Sequence, residues 1–165
     1  MKKLIALLLM IIPMSVVAQE VKIAFVNTQE VFMAMPEVSD MEKKMADLQE
    51  SYKKELAQME EEYKKKYSDF IAQQDSLTEN IKVRRMQEVQ DMQQRMDNLV
   101  QVAQQDVAKQ QQELVKPIQE KIQTAIKAVG DEKGYTYILT REVLLYSGSS
   151  AVDATSFVKA KLGLQ

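Results

Sequence analysis

Between Pro36 and Pro117 the chain runs for 80 residues without a glycine or a proline. These two residues punctuate folds, glycine through its backbone freedom and proline because it fixes φ and removes a donor. The stretch is dense in Glu, Gln, Lys, Met and Leu, residues that lose little on entering a helix. Long uninterrupted helix is therefore expected over nearly half of the 165 residues. A helix of that length cannot bury itself in a small globule. It must be a coiled coil, a projecting arm or a spacer, which favours a mechanical or binding role over a catalytic one.

The apolar pattern within the stretch has two halves. Met41, Met45, Leu48, Tyr52, Leu56, Met59, Tyr63, Tyr67 and Phe70 recur in threes and fours, close to the 3.6-residue period of a straight helix. Acid–base pairs such as Glu50/Lys54 and Glu60/Lys64 occupy the other faces. The stripe fails at Gln73–Asn80, where Ser, Asp, Thr and Asn compete with the helical backbone and Ser76-x-x-Glu79 fits a capping box. It resumes at Ile81 and is clear at Val89, Met92, Met96, Leu99, Ala103, Val107, Gln110 and Leu114, nearer the 3.5-residue seam of a coiled coil. Two arrangements fit: one rod of about 120 Å, or a hairpin turning near Asp75 with arms of roughly 60 Å each. Equal arms around a break favour the hairpin.

The flanks read differently. Val21–Asn27 is β-rich with Val21, Ile23 and Phe25 alternating, and is expected to be a strand. Thr28 is expected to cap a short helix through Ala34, and Pro36 suits the first turn of the next helix. Past the long stretch, Ile118, Ile122, Ala125, Ile126 and Val129 continue an amphipathic helix that Pro117 kinks rather than ends, and Gly130 or Gly134 stops it. Tyr135–Thr140 reads as a strand, Arg141-Glu142 as a turn, and Val143-Leu144-Leu145-Tyr146 as a further strand. After a loop at Ser147–Ser150, Ser150 or Asp153 is expected to cap a last helix carrying Phe157, Val158 and Leu162. The fold class is therefore α+β, mainly α: a long antiparallel helical hairpin inserted in a small β body. The expected organisation is residues 19–35 as the first part of the body, 36–116 as the arm with its turn near 73–80, and 117–165 as the rest of the body. Three short strands are marginal alone, so their edges are expected to pair across subunits.

Composition bounds the function. Met1-Lys2-Lys3, the apolar run Leu4–Ile12 and Val16-x-Ala18 have the order of a secretory signal over residues 1–18, cleaved after Ala18. The run is too short for a membrane span. Without Lys2 and Lys3 the 22 Lys and Arg fall to 20, against 24 Asp and Glu, so no general basic character points to nucleic acid. There is no Cys and no His, which removes thiol chemistry and the commonest general base and metal ligand. Glu60-Glu61-Glu62, followed at once by Lys64-Lys65-Lys66, reads as a solvated face rather than a metal site, and Ser147–Ser150 as a turn rather than a nucleophile loop. No cofactor and no catalytic residue are implied.

Two features suit binding. From Lys64 to Arg85 six basic residues (Lys64, Lys65, Lys66, Lys82, Arg84, Arg85) face three acids, a locally positive tip suited to anionic lipid headgroups or acidic partners. Eight methionines remain after the leader, at 33, 35, 41, 45, 59, 86, 92 and 96. Flexible thioethers adapt to irregular partners, though each can equally pack arm on arm.

The signal, Lys22-Ile23-Ala24-Phe25-Val26-Asn27, the charged hairpin, Pro117-Ile118-Gln119-Glu120-Lys121-Ile122, Gly134-Tyr135 before a strand and Asp153-Ala154-Thr155 opening a last helix together resemble the Skp/OmpH family. These are periplasmic chaperones of outer-membrane proteins. The resemblance covers essentially the whole chain after the leader. It implies a homotrimer whose strands pool into one β body and whose three helical tentacles enclose a cavity that holds unfolded clients without ATP. It further implies that Val21, Ile23, Phe25, Ile138, Leu139, Leu144 and Leu145 build the shared body, and that Met59, Tyr63, Tyr67, Phe70, Met86, Met92 and Met96 face clients or pack the arms. Described members are often strongly basic whereas this chain is acidic, which confines capture by charge to the tip. A coiled-coil spacer or tether of the envelope is the competing expectation.

Overall fold

A computed structural model describes residues 21–164; the leader read over residues 1–18 lies outside the described residues. The chain runs β1 (Ile23–Val26), α1 (Thr28–Ala34), α2 (Pro36–Gln73), a 3₁₀ turn (Gln74–Ser76), α3 (Glu79–Lys133), β2 (Tyr137–Thr140), a second 3₁₀ turn (Arg141–Val143), β3 (Val152–Asp153) and α4 (Thr155–Lys161). The hairpin, not the rod, is what forms.

Helix α2 is 38 residues long, about 57 Å. It starts on Pro36, whose missing N–H is one the first turn could not have used. Helix α3 returns over 55 residues, continues through Pro117 and ends where Gly134 takes the left-handed conformation (φ 68°). The turn between the arms differs from expectation in detail. The Ser76 hydroxyl donates backwards to the Gln73 carbonyl (2.8 Å), so the Ser76/Glu79 capping box is absent and Thr78 occupies the N-cap of α3. Likewise Asn27, not Thr28, caps α1, its side-chain oxygen accepting from the Glu30 N–H at 3.0 Å.

The sheet has order β2-β1-β3 and is parallel throughout. Ile23 pairs with Tyr137 and Phe25 with Leu139 on one side of β1, while Ala24 faces Val152 on the other. The third strand is therefore Val152–Asp153, and Val143–Tyr146, expected as a strand, is a 3₁₀ end followed by unpaired chain that is extended at Leu144 and bends at Leu145. Nothing in a single copy offers that segment a ladder. The interior takes the small phase of β1: Ala24 and Val26 are buried, against Val31, Met35, Val38, Ile118, Ile122, Ala125, Val129, Ala154 and Val158. Helices press closely on that face, and Ile23 and Phe25 point the other way.

Polar bonds close the body. The Asn27 N–H donates to the Thr155 hydroxyl (2.9 Å) across 128 residues, and the Ala154 N–H donates to the Phe25 carbonyl at 2.7 Å. Thr155 is buried, and its own N–H donates to the Asp153 carboxylate (2.8 Å), so Asp153 organises the start of α4 from one position before its N-cap, Ala154. Lys159 pairs with Glu30 (2.7 Å), Lys161 with Glu132, and the Lys133 ammonium lies 4.4 Å from the Phe157 ring centre.

Two polar pins cross between the arms. At the base Lys121 pairs with Glu37, and this bond holds the Glu37 carboxyl below its ordinary value. Further out the Tyr52 hydroxyl donates to the Asp106 carboxylate (2.9 Å), which raises the tyrosine above its ordinary value. Between and beyond them the seam is apolar save for the half-buried Gln110. Its distal end buries Phe70, Val89, Met92 and Met96.

Both pins make testable statements. A depressed carboxyl contributes stability above its unfolded value and loses it as pH falls through the folded one. The base of the arm should thus weaken as pH drops below about 4.5, and Glu37→Gln should flatten that part of a urea-midpoint-versus-pH curve. The raised tyrosine has the opposite sense: its contribution is complete below pH 10 and declines as pH rises further. Tyr52→Phe should lower the thermal midpoint by a few degrees at neutral pH and remove the alkaline decline, read by circular dichroism at fixed protein concentration.

Candidate functional site

Two surfaces stand out once the core and the seam are assigned: the distal half of the arm and the outer face of the body. On the arm, the residues singled out in sequence separate into two groups. Phe70, Met92 and Met96 are buried between the helices, which removes them from the surface a client could touch. Met59 and Tyr63 are half-buried along the seam, and Tyr67 and Met86 are exposed. Tyr63 and Tyr67 stack with ring centres 6.0 Å apart and planes within 5°, as their one-turn spacing allows.

Other exposed apolar side chains join them. Ile71, Ile81 and Val83 lie near the turn, and Val100 and Val102 further down α3; all are exposed, Ile81 included, although the apolar stripe resumes there in the sequence. A groove of about 310 Å³ is lined by Phe70, Val83 and Met86 with Lys82, Glu79, Gln87 and Gln90. The seam-based reading passed over Ile71 and Val83 because it followed the stripe. The signal that would have found them is the converse one, an apolar residue on a helix face otherwise given to charge.

Charge surrounds this apolar end. Lys64, Lys65, Lys66, Arg84 and Arg85 are exposed and Lys82 is half-buried. Arg84 is paired with Glu88 at 3.2 Å, one turn on, while among the described residues the other five make no ion pair. The tip therefore combines apolar side chains with unneutralised cations. Among the described residues no group of three acidic or other metal-ligating side chains is placed to hold an ion.

The body presents the second surface. Its sheet is covered on one face only, and on the other Ile23 (51 % exposed), Phe25, Tyr137 (59 %) and Leu139 form an uncovered apolar patch. Val21 is also exposed. Ile138, expected in a shared body, instead packs against its own chain's core, and Leu144 is half-buried. Leu145 is fully exposed. Both outer strands, β2 and β3, have a free edge in the single chain.

Comparison with known proteins fits this architecture. The family model described as outer membrane protein (OmpH-like) matches residues 22–162. No curated protein matches the chain. Among solved structures, a protein from Caulobacter crescentus CB15, provisionally named an outer membrane chaperone (OmpH-like), superposes with a TM-score of 0.77. The match is 13 % identical and covers 86 % of this chain and 83 % of that one, so the hairpin-on-body fold is shared at a distance where few side chains are. With a family match running from the first strand to the last helix, the chain belongs to the OmpH-like family.

Proposed function

We propose that the protein is an ATP-independent holdase chaperone of the periplasm, which binds unfolded outer-membrane proteins and keeps them from aggregating. Family membership and the description of the structural neighbour as an outer membrane chaperone support a chaperone role. The observation that carries the reading is the distal arm, where Tyr67, Ile71, Ile81, Val83 and Met86 are apolar side chains that the pairing of the two helices leaves exposed. A spacer needs its apolar residues only in the seam. Apolar contacts outside it, each small and exchangeable, suit a partner that must be held without being ordered. Met59 and Tyr63 extend this surface towards the body.

In this reading three copies share one β body. The uncovered face of Ile23, Phe25, Tyr137 and Leu139, with Val21, Leu144 and Leu145, is the surface that association removes from water, and the free edges of β2 and β3 gain partners. Three arms of about 57 Å then enclose a cavity. The charged faces keep the arms soluble and apart. Export follows from the leader read over residues 1–18, and no helix among the described residues is long and apolar enough to cross a membrane. The cationic tip of Lys64–Lys66, Lys82, Arg84 and Arg85 touches anionic membrane surfaces.

Diluting a urea-unfolded outer-membrane barrel into the protein tests the central statement. Light scattering should fall at a stoichiometry of one trimer per client, with no nucleotide added. Replacing Tyr67, Ile71, Val83 and Met86 together by Ser should weaken that protection severalfold while the native mass stays that of a trimer. A monomer or dimer that leaves aggregation unchanged would return the chain to the spacer reading. Vesicle flotation tests the tip: binding to anionic but not zwitterionic vesicles, declining between low and physiological salt, is expected, and charge-neutral variants at Lys64, Lys65 and Lys66 should abolish it.

A further inference from the structure

The two helices of the arm turn different faces to water. On α2 the row half a turn from the seam reads Glu50, Lys54, Ala57, Glu61 and Lys65, all exposed. On α3 the equivalent row runs from Val83 to Gln119 in steps of three and four, roughly 54 Å, and holds no Lys, Arg, Asp or Glu. Gln87, Gln90, Gln94, Gln101, Gln105 and Gln112 mark it, with Asn98 and Ala108 in the gaps, and all of these are exposed. On one flank the neutral surface widens through the exposed Met86, Gln93, Val100, Gln104 and Gln111. Its one acid beyond the turn, Asp97, accepts a hydrogen bond from Gln93 (3.3 Å). On the other flank charges resume at Arg84, Asp91, Arg95, Lys109 and Glu113.

Helix formation does not account for this strip, because Gln, Lys and Glu favour a helix about equally. Solubility does not either, since charge serves it better. Where an amide differs is in being covered: an ion leaves water at far greater cost. A strip free of ions can be covered and uncovered repeatedly. Its hydrogen-bonding capacity is also largely unspent. Gln87 donates to Asp91 (2.7 Å), but among the described residues Gln90, Gln94, Gln101, Gln105 and Gln112 make no side-chain hydrogen bond within the chain. Each offers a carbonyl and an NH₂ group together, the two complements of a peptide unit.

We infer that this strip of α3 is a track for the main chain of an extended, unfolded polypeptide, with Val83, Met86 and Val100 taking its apolar side chains. The inference rests on the holdase reading above and carries the client from the tip down the length of one helix. Continuity favours that occupant, for Val83, Gln87 and Gln90 also line the apolar groove at the tip. The main chain is the one feature that all unfolded clients share, so recognition is independent of their sequence. The repeats do not match: the helix offers a turn every 5.4 Å or so, whereas a strand repeats its groups on one side about every 6.8 Å. No register is fixed, and a segment of roughly 16 residues can slide along the strip. An anionic lipid or nucleic acid needs cations, which the strip lacks. A second helix needs a heptad seam of apolar residues, which it also lacks.

The chain has no cysteine, so a single one marks a single place. Full-length Gln101→Cys carrying a benzophenone maleimide is mixed with a urea-unfolded outer-membrane barrel and illuminated. Cross-links to many separate client peptides are expected, at a yield unchanged up to about 0.5 M salt. The same label at Glu61→Cys, on the back of α2, should give less than a tenth of that yield. Changing Gln94, Gln101 and Gln105 together to Glu, and in a second protein to Lys, should each weaken client binding about tenfold, because either sign must lose its water under a neutral main chain. Helical circular dichroism and native mass should stay the same. Weakening by Glu with Lys neutral or improving marks attraction of charge and overturns the inference, as does full affinity in both proteins. Cross-links that run to α3 of a second copy and not to the client overturn it too. In each of those cases the holdase reading stands if the unaltered protein still slows aggregation. An unaltered protein that does not slow it defeats both.

Discussion

The central position of β1 governs the rest of the structure, because both of its strand partners come from the far end of the chain. Ile23 pairs with Tyr137 and Ala24 with Val152, so the body cannot form until the arm has turned back on itself. Closing a loop of that length in a disordered chain would be slow and entropically costly. The hairpin changes the problem. Once α2 and α3 lie side by side, Met35 and Ile118 stand at the same end of the arm, and the remaining closures are short. The arm thus brings the two ends of the chain together as well as projecting from the body, and the Asn27–Thr155 bond is the clasp that completes the circuit.

Stability is divided along the molecule. One apolar core holds the body together with the base of the arm, from Val26 and Val31 to Ile118, Val129 and Val158. Beyond it the arm has two layers only, and a two-helix seam leaves each helix largely in water. The seam positions of its middle are half-buried, from Met45 to Met59 and from Leu99 to Val107, with Tyr52 and Asp106 as the one direct polar link there among the described residues. Such a pair fixes the register of the helices more than it adds to stability. The buried group at Phe70, Val89, Met92 and Met96 re-tightens the arm near its turn. The apolar side chains that remain outside belong to an end that is firmly built, so they are presented on a scaffold and not on a frayed terminus.

Much of this was legible in the sequence because helices announce themselves locally. The absence of Gly and Pro, the 3.6-residue stripe, Pro36 at a first turn and Gly134 at a last one are all short-range statements, and the structure repeats them. Strands were harder. Val143–Tyr146 has the stronger β composition, yet Val152–Asp153 takes the third place in the sheet, because strand formation depends on finding a ladder and only the latter meets β1. Alternation in β1 was visible, but not which phase faces inward; the close approach of helices selects Ala24 and Val26 over the larger Ile23 and Phe25. Caps moved by a residue or two for a related reason, since Asn27 and Thr28, or Ser76 and Thr78, are equally competent until the chain direction is fixed. The candidate site was half legible. The stripe marks what the two helices bury, so Phe70, Met92 and Met96 belong to the seam; Tyr67 and Met86 were visible as candidates, while Ile71 and Val83 had to be read from residues that break the pattern.

The antiparallel arm carries one more implication. Helix α2 has 38 residues from Pro36 to Gln73, and the stretch of α3 from Glu79 up to Pro117 matches it in length. Nothing in the body senses where the turn lies, because every contact that closes the body is made at the base. Removing or adding a matched pair of heptads, one from each helix, would move the tip by about 10 Å and leave the sheet and its clasp untouched. Reach is therefore a separable dimension of this fold: the same body can be fitted with a shallow or a deep enclosure, set by counting turns.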